Sequence, residues 1–289
     1  MDSHIWAVSF GLFFGLSSRL MMLITDYRQY PTHPHGKVIH IALGAIAAGL
    51  GAVAVPALLE PDFSAITFLG VAAQQFRDVR NMERETLSKL DQFEMVPRGT
   101  TYIEGIALSF EGRNYLVIFV AFMTSLATII VSEPVGVVTG ILFVLVSWRL
   151  RTGQYIRDIA VVREGRLHFD DDHLLYVDDI VIMNVGLKNS REAILKYGIG
   201  LMIEPKSRES VITLSNVGQR QAILHDVSSV LGIFSDTGIP SLTPLAKRDL
   251  ETGRIGVFLI PQIRDLDLAR QVAERVPVLE NAVRLPKEF

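Results

Sequence analysis

The pattern of apolar and polar positions changes once along the chain. Up to residue 148 it is dominated by long apolar runs; beyond that point charged and apolar residues interleave at ordinary spacing. Residues 38–59 and 114–132 contain no Asp, Glu, Lys or Arg. Each meets the roughly 20 helical residues needed to cross a hydrocarbon core of about 30 Å. Residues 5–18, 63–76 and 134–148 form shorter runs. The first is interrupted by Arg19 and resumes over 20–24, the second carries Gln74 and Gln75 near its end, and the third stops before Arg149. These five runs predict a helical membrane bundle of about five spans over residues 1–150, with a loop at 77–113. A soluble mixed α/β (α+β) domain is expected over 151–289.

The basic residues order the predicted spans. Arg28 and Lys37, then Arg77, Arg80, Arg84, Lys89, Arg98 and Arg113, then Arg149, Arg151 and Arg157 occupy alternate connections; residues 1–4, 59–62 and 132–134 have no Lys or Arg. Cytoplasmic loops carry the excess of Lys and Arg. The expected topology therefore has the N-terminus outside, and the 77–113 loop and the C-terminal domain in the cytoplasm of a bacterial inner membrane. Residues 1–4 lack a positive region and a cleavage site, so the first run is expected to be retained. Trp6 and Trp148 stand near opposite bundle ends, where interfacial aromatics belong.

Small residues recur at four-residue spacing, at Gly11 and Gly15 and among Gly44, Ala45, Ala48, Gly49 and Ala52. Lipid is as apolar as leucine, so helix association in it depends on close backbone approach. Packing within the bundle is the expected use, and a homodimer is the alternative. The polar residues inside or beside the spans are Arg19, His40, Gln74 and Gln75. Intramembrane charge is costly and often functional, but Arg19 is close enough to the inner face to be expected to snorkel there.

Composition narrows the chemistry. The chain has no cysteine, which removes thiol catalysis, disulfides and Cys-type zinc sites. A net charge of −3 without a Lys/Arg stripe gives no footing for a nucleic acid. No phosphate-binding or dinucleotide glycine pattern is present, and no cofactor is expected. His33, His35 and His40 lack a carboxylate or thiolate to complete a metal set. The acidic run Asp170, Asp171 and Asp172, followed by His173, Asp178 and Asp179, does not have EF-hand spacing and reads as solvated turns. No metal site is expected.

Within the 77–113 loop, residues 77–94 have a helical stripe of Val79, Met82, Leu87, Leu90 and Phe93, ended by Pro97 and Gly99. A second helix is expected to run into the fourth span. Helical spacing puts Ile103, Ile106, Ala107 and Phe110 on one side, and Glu104, Leu108 and Glu111 on another. Tyr102, Ile103, Glu104, Gly105, Ile106 and Ala107 spell Tyr-Ile-Glu-Gly-Ile-Ala. In this hexapeptide and the multi-span layout the chain resembles the YIEGIA family, membrane proteins of endospore-forming bacteria. The resemblance implies an inner-membrane location and a role linked to sporulation, with Glu104 the natural functional candidate. A Glu-Gly pair shaping the entry to the span is the competing reading.

In the C-terminal half a hairpin is expected from 159–162 and 166–169 around Glu164 and Gly165. Strands are expected over 174–185, 198–203, 210–214, 255–260 and 278–284. Helices are expected over 215–233 and over 265–276, the latter capped by Asp265. Asp236, Thr237 and Gly238 are similar to the catalytic triplet of aspartic proteases, in which two carboxylates share a proton. One copy occurs, so catalysis would need a dimer; a helix-ending turn is the simpler reading. The leading expectation is a sporulation-linked membrane regulator or scaffold with a cytoplasmic protein- or ligand-binding domain. The alternative is a membrane-tethered protease acting on a cytoplasmic developmental protein. The expected partners are the lipid bilayer and a cytoplasmic protein, as partner or substrate.

Overall fold

The computed structural model describes residues 2–26, 34–59, 63–150, 153–171, 173–234 and 242–283. The chain forms two compact units. The first comprises Met1–Glu85 and Ile106–Gly153, the second Thr86–Gly105 and Gln154–Phe289. The predicted 77–113 loop is thus divided, and residues 86–105 are part of the second unit's fold.

The first unit is helical: α1 Asp2–Asp26, α2 Pro34–Leu59, α3 Phe63–Arg77, the start of α4 Val79–Asp91, most of α5 Thr100–Ile130, and α6 Glu133–Leu150. Among the described residues four helices, α1, α2, α5 and α6, are long and apolar enough to cross a membrane. The predicted third span is helical, but α3 has 15 residues, about 22 Å at 1.5 Å per residue. That length is below the thickness of the hydrocarbon core.

Small residues let these helices touch backbone to backbone. A Cβ on Gly51 of α2 would stand 2.2 Å from the Ile118 carbonyl oxygen of α5, and one on Gly15 of α1 would stand 2.8 Å from the Ala48 Cβ. Ala47, Ala48, Ala52, Val117 and Ala121 are fully buried at this seam. Two hydroxyls bridge helices: Ser125 Oγ donates to the Ala52 carbonyl at 2.9 Å, and Ser18 Oγ to Ser147 Oγ at 2.9 Å. Such bonds are the polar counterpart of small-residue packing in an apolar solvent.

The second unit is antiparallel throughout. A four-stranded sheet has the order β1 Ala160–Gly165, β5 Ile199–Pro205, β7 Ile255–Leu259, β6 Leu245–Arg248. A three-stranded sheet has the order β2 Leu167–Phe169, β3 Leu174–Val177, β4 Ile180–Asn184. Leu175, Val177, Ile180 and Ile182 of the smaller sheet join Met202 and Phe258 of the larger in one core, with Ile194 of α8 Lys188–Tyr197. Helices α9 Arg208–Ser215, α10 Val217–Leu231 and α11 Leu266–Arg275 contact the larger sheet, as does the short α7 Ile156–Ile159.

Several expectations are corrected here. The 159–169 hairpin does not form: β1 pairs with β5, β2 with β3. The chain changes sheets at Gly165, where a Cβ would lie 2.4 Å from Val177 Cγ1. Strand alternation specifies which side is buried, not which strand is the neighbour. Residues 210–214 are helical in α9. Ser207 caps that helix by accepting from the Ser210 amide, and Ser210, Thr213 and Leu214 are buried at helical spacing; the cap and the burial outweigh the β propensity of Val211, Ile212 and Thr213. The predicted final strand is instead a 3-10 turn, Glu280–Ala282. There the Gln219 amide accepts from Leu279 N at 2.7 Å and donates to the Pro277 carbonyl at 3.1 Å, taking the place of a neighbouring strand. Helix α8 and strand β6 were not anticipated. The capping of α11 by Asp265, which accepts from Leu268 N, agrees with the sequence reading.

Gly51→Leu should weaken the bundle by about 1–3 kcal/mol, because overpacking forces backbone shifts. Gly49→Leu, two residues away with no atom within 4 Å of an added Cβ, should be tolerated. Thermal unfolding of the two detergent-extracted variants checks the contrast.

Candidate functional site

The hexapeptide lies just beyond a loop held by one carboxylate. Asp91, the last residue of α4, accepts the Arg98 amide at 2.6 Å and the Gly99 amide at 3.0 Å. Gly99 has φ +76°, a left-handed conformation suited to glycine, and α5 begins at the next residue. The Arg98 side chain is buried beside Glu94 Oε1 at 3.5 Å and Asp91 Oδ1 at 3.8 Å.

Helix α10 holds the same loop from a second direction. His225 Nδ1 donates to the Val96 carbonyl at 2.6 Å, and Gln221 Nε2, one turn earlier, to the Pro97 carbonyl at 2.5 Å. Burial lowers the pKa of His225, consistent with a neutral ring whose Nδ1 carries the proton. The Tyr102 ring stands edge-on to the His225 ring, with centroids 6.5 Å apart. Asp226, next to His225, is partly buried, and desolvation pushes its pKa up to about 7, with Arg98 opposing the shift.

The motif side chains divide by role. Tyr102, Ile103, Ile106 and Ala107 are buried, as helical spacing predicted, with exposures of 5% or less. Glu104 is partly exposed. Gly105 faces Asn281, whose Oδ1 would be 2.7 Å from an added Cβ. Gly218 of α10 similarly faces the Thr101 backbone, at 3.1 Å. The first residues of α5 therefore pack as part of the second unit's core. Sequence reasoning missed His225, Gln221, Asp226 and Asp91, which are polar residues in otherwise ordinary amphipathic helices. The Pro97–Gly99 break was the available signal that this loop needed external ties.

The first unit has a polar cluster of its own. Arg19 is fully buried and does not snorkel. Glycine at 44 makes room for it, since a Cβ there would lie 2.3 Å from Arg19 Cγ. The Arg19 guanidinium sits 4.7 Å from the Phe110 ring centroid, a cation–π contact, and the His40 ring is 4.6 Å from the same ring. His40 Nε2 is 3.8 Å from Glu83 Oε1. Asn114, one turn along α5 from Phe110, is fully buried with both amide atoms lacking hydrogen-bond partners. Arg19 and His40 thus converge as a group. Gln74 is exposed, and the side chain of Gln75 lies outside the described residues.

Asp236, Thr237 and Gly238 also lie outside the described residues; α10 ends before them at Leu231, with Gly232 at φ +68°. The acidic run is taken up by its own turns and by arginines. Asp170 accepts from Leu174 N and Tyr176 OH, Asp178 pairs with Arg163 at 2.6 Å, and Asp179 pairs with Arg254. Asp172, His33 and the His35 side chain lie outside the described residues.

A unit of apolar helices and an antiparallel α+β unit, the latter including Tyr102–Gly105 of the hexapeptide, define a membrane-type protein. The model of the YIEGIA protein family matches residues 7–289, and the chain belongs to this family. It is 52% identical to protein YphB of Bacillus subtilis (strain 168) over 289 residues, covering 100% of this chain and 97% of the relative. No solved structure matches.

Asp226 gives a pH signature. Its carboxyl titrates near 7 when folded and near 3.9 when unfolded. The folded state therefore holds the extra proton between these values, and stability falls as pH rises through that window. Asp226→Asn should remove this component, flattening the profile between about pH 4 and 7 and raising stability above pH 7 relative to wild type. Unfolding midpoints of both proteins across pH check this.

Proposed function

We propose that this chain is a multi-span inner-membrane protein of endospore-forming bacteria whose cytoplasmic α+β domain binds a regulatory protein partner during sporulation. The observation that carries this reading is the burial of Tyr102 and Ile103 at the α10 side of the domain, where His225 and Gln221 secure the preceding loop. The family's signature residues there build a fold. A binding or scaffolding domain depends on its shape, and these residues supply it.

The charge distribution supports five crossings, with α3 as the third. With α3 crossing, every Lys/Arg-bearing connection falls on one side; without it, the connection that carries Arg28 and Lys37 would fall on the side opposite to the 77–113 loop and the C-terminal domain. A short span is accommodated by local thinning of the bilayer at modest cost. The 31 residues of α5 are about 46 Å of helix, more than one span needs. Its N-terminal turns are therefore available to the domain.

The test compares the proteins of sporulating cells with and without this chain, in strains complemented by variants made at normal membrane levels. Glu104→Asp should restore function and Asp236→Asn should be silent, while Tyr102→Ala should abolish crosslinking of the domain to its partner. Accumulation of one uncleaved protein in the Asp236→Asn strain would replace this reading with the tethered protease.

A further inference from the structure

Several arginines of the second unit are matched to carboxylates. Arg163 pairs with Asp178 and Glu204, Arg254 with Asp179 and Asp249, Arg270 with Asp267 and Glu274. Two further arginines are distinguished by a buried donor that nothing satisfies. Arg220 lies in the first turns of α10, and Arg248 ends β6, an edge strand of the four-stranded sheet. Neither makes an ion pair among the described residues, and the Nε of each is buried with no hydrogen-bond partner.

The fold brings the two together. A Cβ on Gly256 would meet Ile182, Val177 and Ile180 of the smaller sheet. Gly256 and its partner Lys247 therefore face that sheet, while the next pair, Arg248 and Ile255, faces the other way. Helix α10 packs against β6. The charge of Arg248 acts on Arg220, which burial and this repulsion together hold below the usual arginine range.

Two like charges on packed elements, close enough to interact and each with a buried Nε–H donor unsatisfied, are costly alone and favourable around an anion. Guanidinium forks match the oxygens of phosphate, and arginine is used wherever planar two-point recognition of such groups is needed. A carboxylate would neutralise one of the two charges. A phosphate monoester, with about −1.5 to −2 at neutral pH, balances both. The positive end of α10, close to Arg220, adds to the same field.

We propose that Arg220 and Arg248 form a binding site for a phosphate monoester at the junction of α10 and β6. The group would be carried by a soluble phosphorylated molecule or by a lipid headgroup. This inference rests on the domain's own residues and stands whether or not the regulatory reading holds.

The test uses the full chain purified in detergent, with its thermal unfolding followed as inorganic phosphate replaces chloride at constant ionic strength. The expected result is a saturable rise in midpoint. Arg220→Gln and Arg248→Gln should each weaken the apparent affinity roughly tenfold or more, the loss of a charge-assisted bond. Without phosphate both variants should unfold at or above the wild-type midpoint, because the repulsion is relieved. Lipid nanodiscs with and without phosphatidic acid form the second arm. A rise with phosphatidic acid alone, lost in both variants, assigns the site to a lipid headgroup; a rise with free phosphate assigns it to a soluble ligand. No response to either probe, or a response that both variants retain, overturns the site.

Discussion

The Asp91 carboxylate is the constraint on which the placement of the family motif depends. It takes two successive backbone amides, Arg98 and Gly99, and so turns the end of α4 into the start of α5. An anionic acceptor of backbone N–H makes a stronger bond than a neutral one, and this acceptor is buried. With the loop closed there, Tyr102 and Ile103 enter the second unit's core. Gly105 faces Asn281 at a spacing that leaves no room for a side chain. The ties from α10 act on the same loop, through the two carbonyls that precede Arg98.

The two units solve the burial of polar groups differently. In the helical unit small residues bring backbones together and hydroxyls bridge the helices. Arg19, buried within it, lies against an aromatic face in the space left by a glycine. In the sheet unit charges pair at turns and strand ends, as Asp178 with Arg163 and Asp179 with Arg254. His225 is buried and bonded to a loop carbonyl, and Asp226 beside it is partly buried, with desolvation raising the pKa of its carboxyl. Both arrangements follow from the cost of an unpaired polar group away from water. Arg220 and Arg248 differ in that the Nε of each is buried without a hydrogen-bond partner and neither makes an ion pair among the described residues.

The sequence alone determined the helical first half, most of its apolar spans, the buried side of the motif helix, the hexapeptide that carries the family likeness, and the Asp265 cap. Each of these is local: a run of apolar residues, a 3.6-residue period, or one side chain reaching a nearby amide. Tertiary structure decided which strands are neighbours, because a pleat specifies a side and not a partner; β1 and β2, adjacent in the chain, belong to different sheets. It turned residues 210–214 into a helix through the Ser207 cap and the burial of one face. It brought Arg19 to Phe110 and His40, and His225 to Val96 across 129 residues of chain. Contacts at that separation leave no periodic trace, so their chemistry becomes readable only once the fold has placed the groups together.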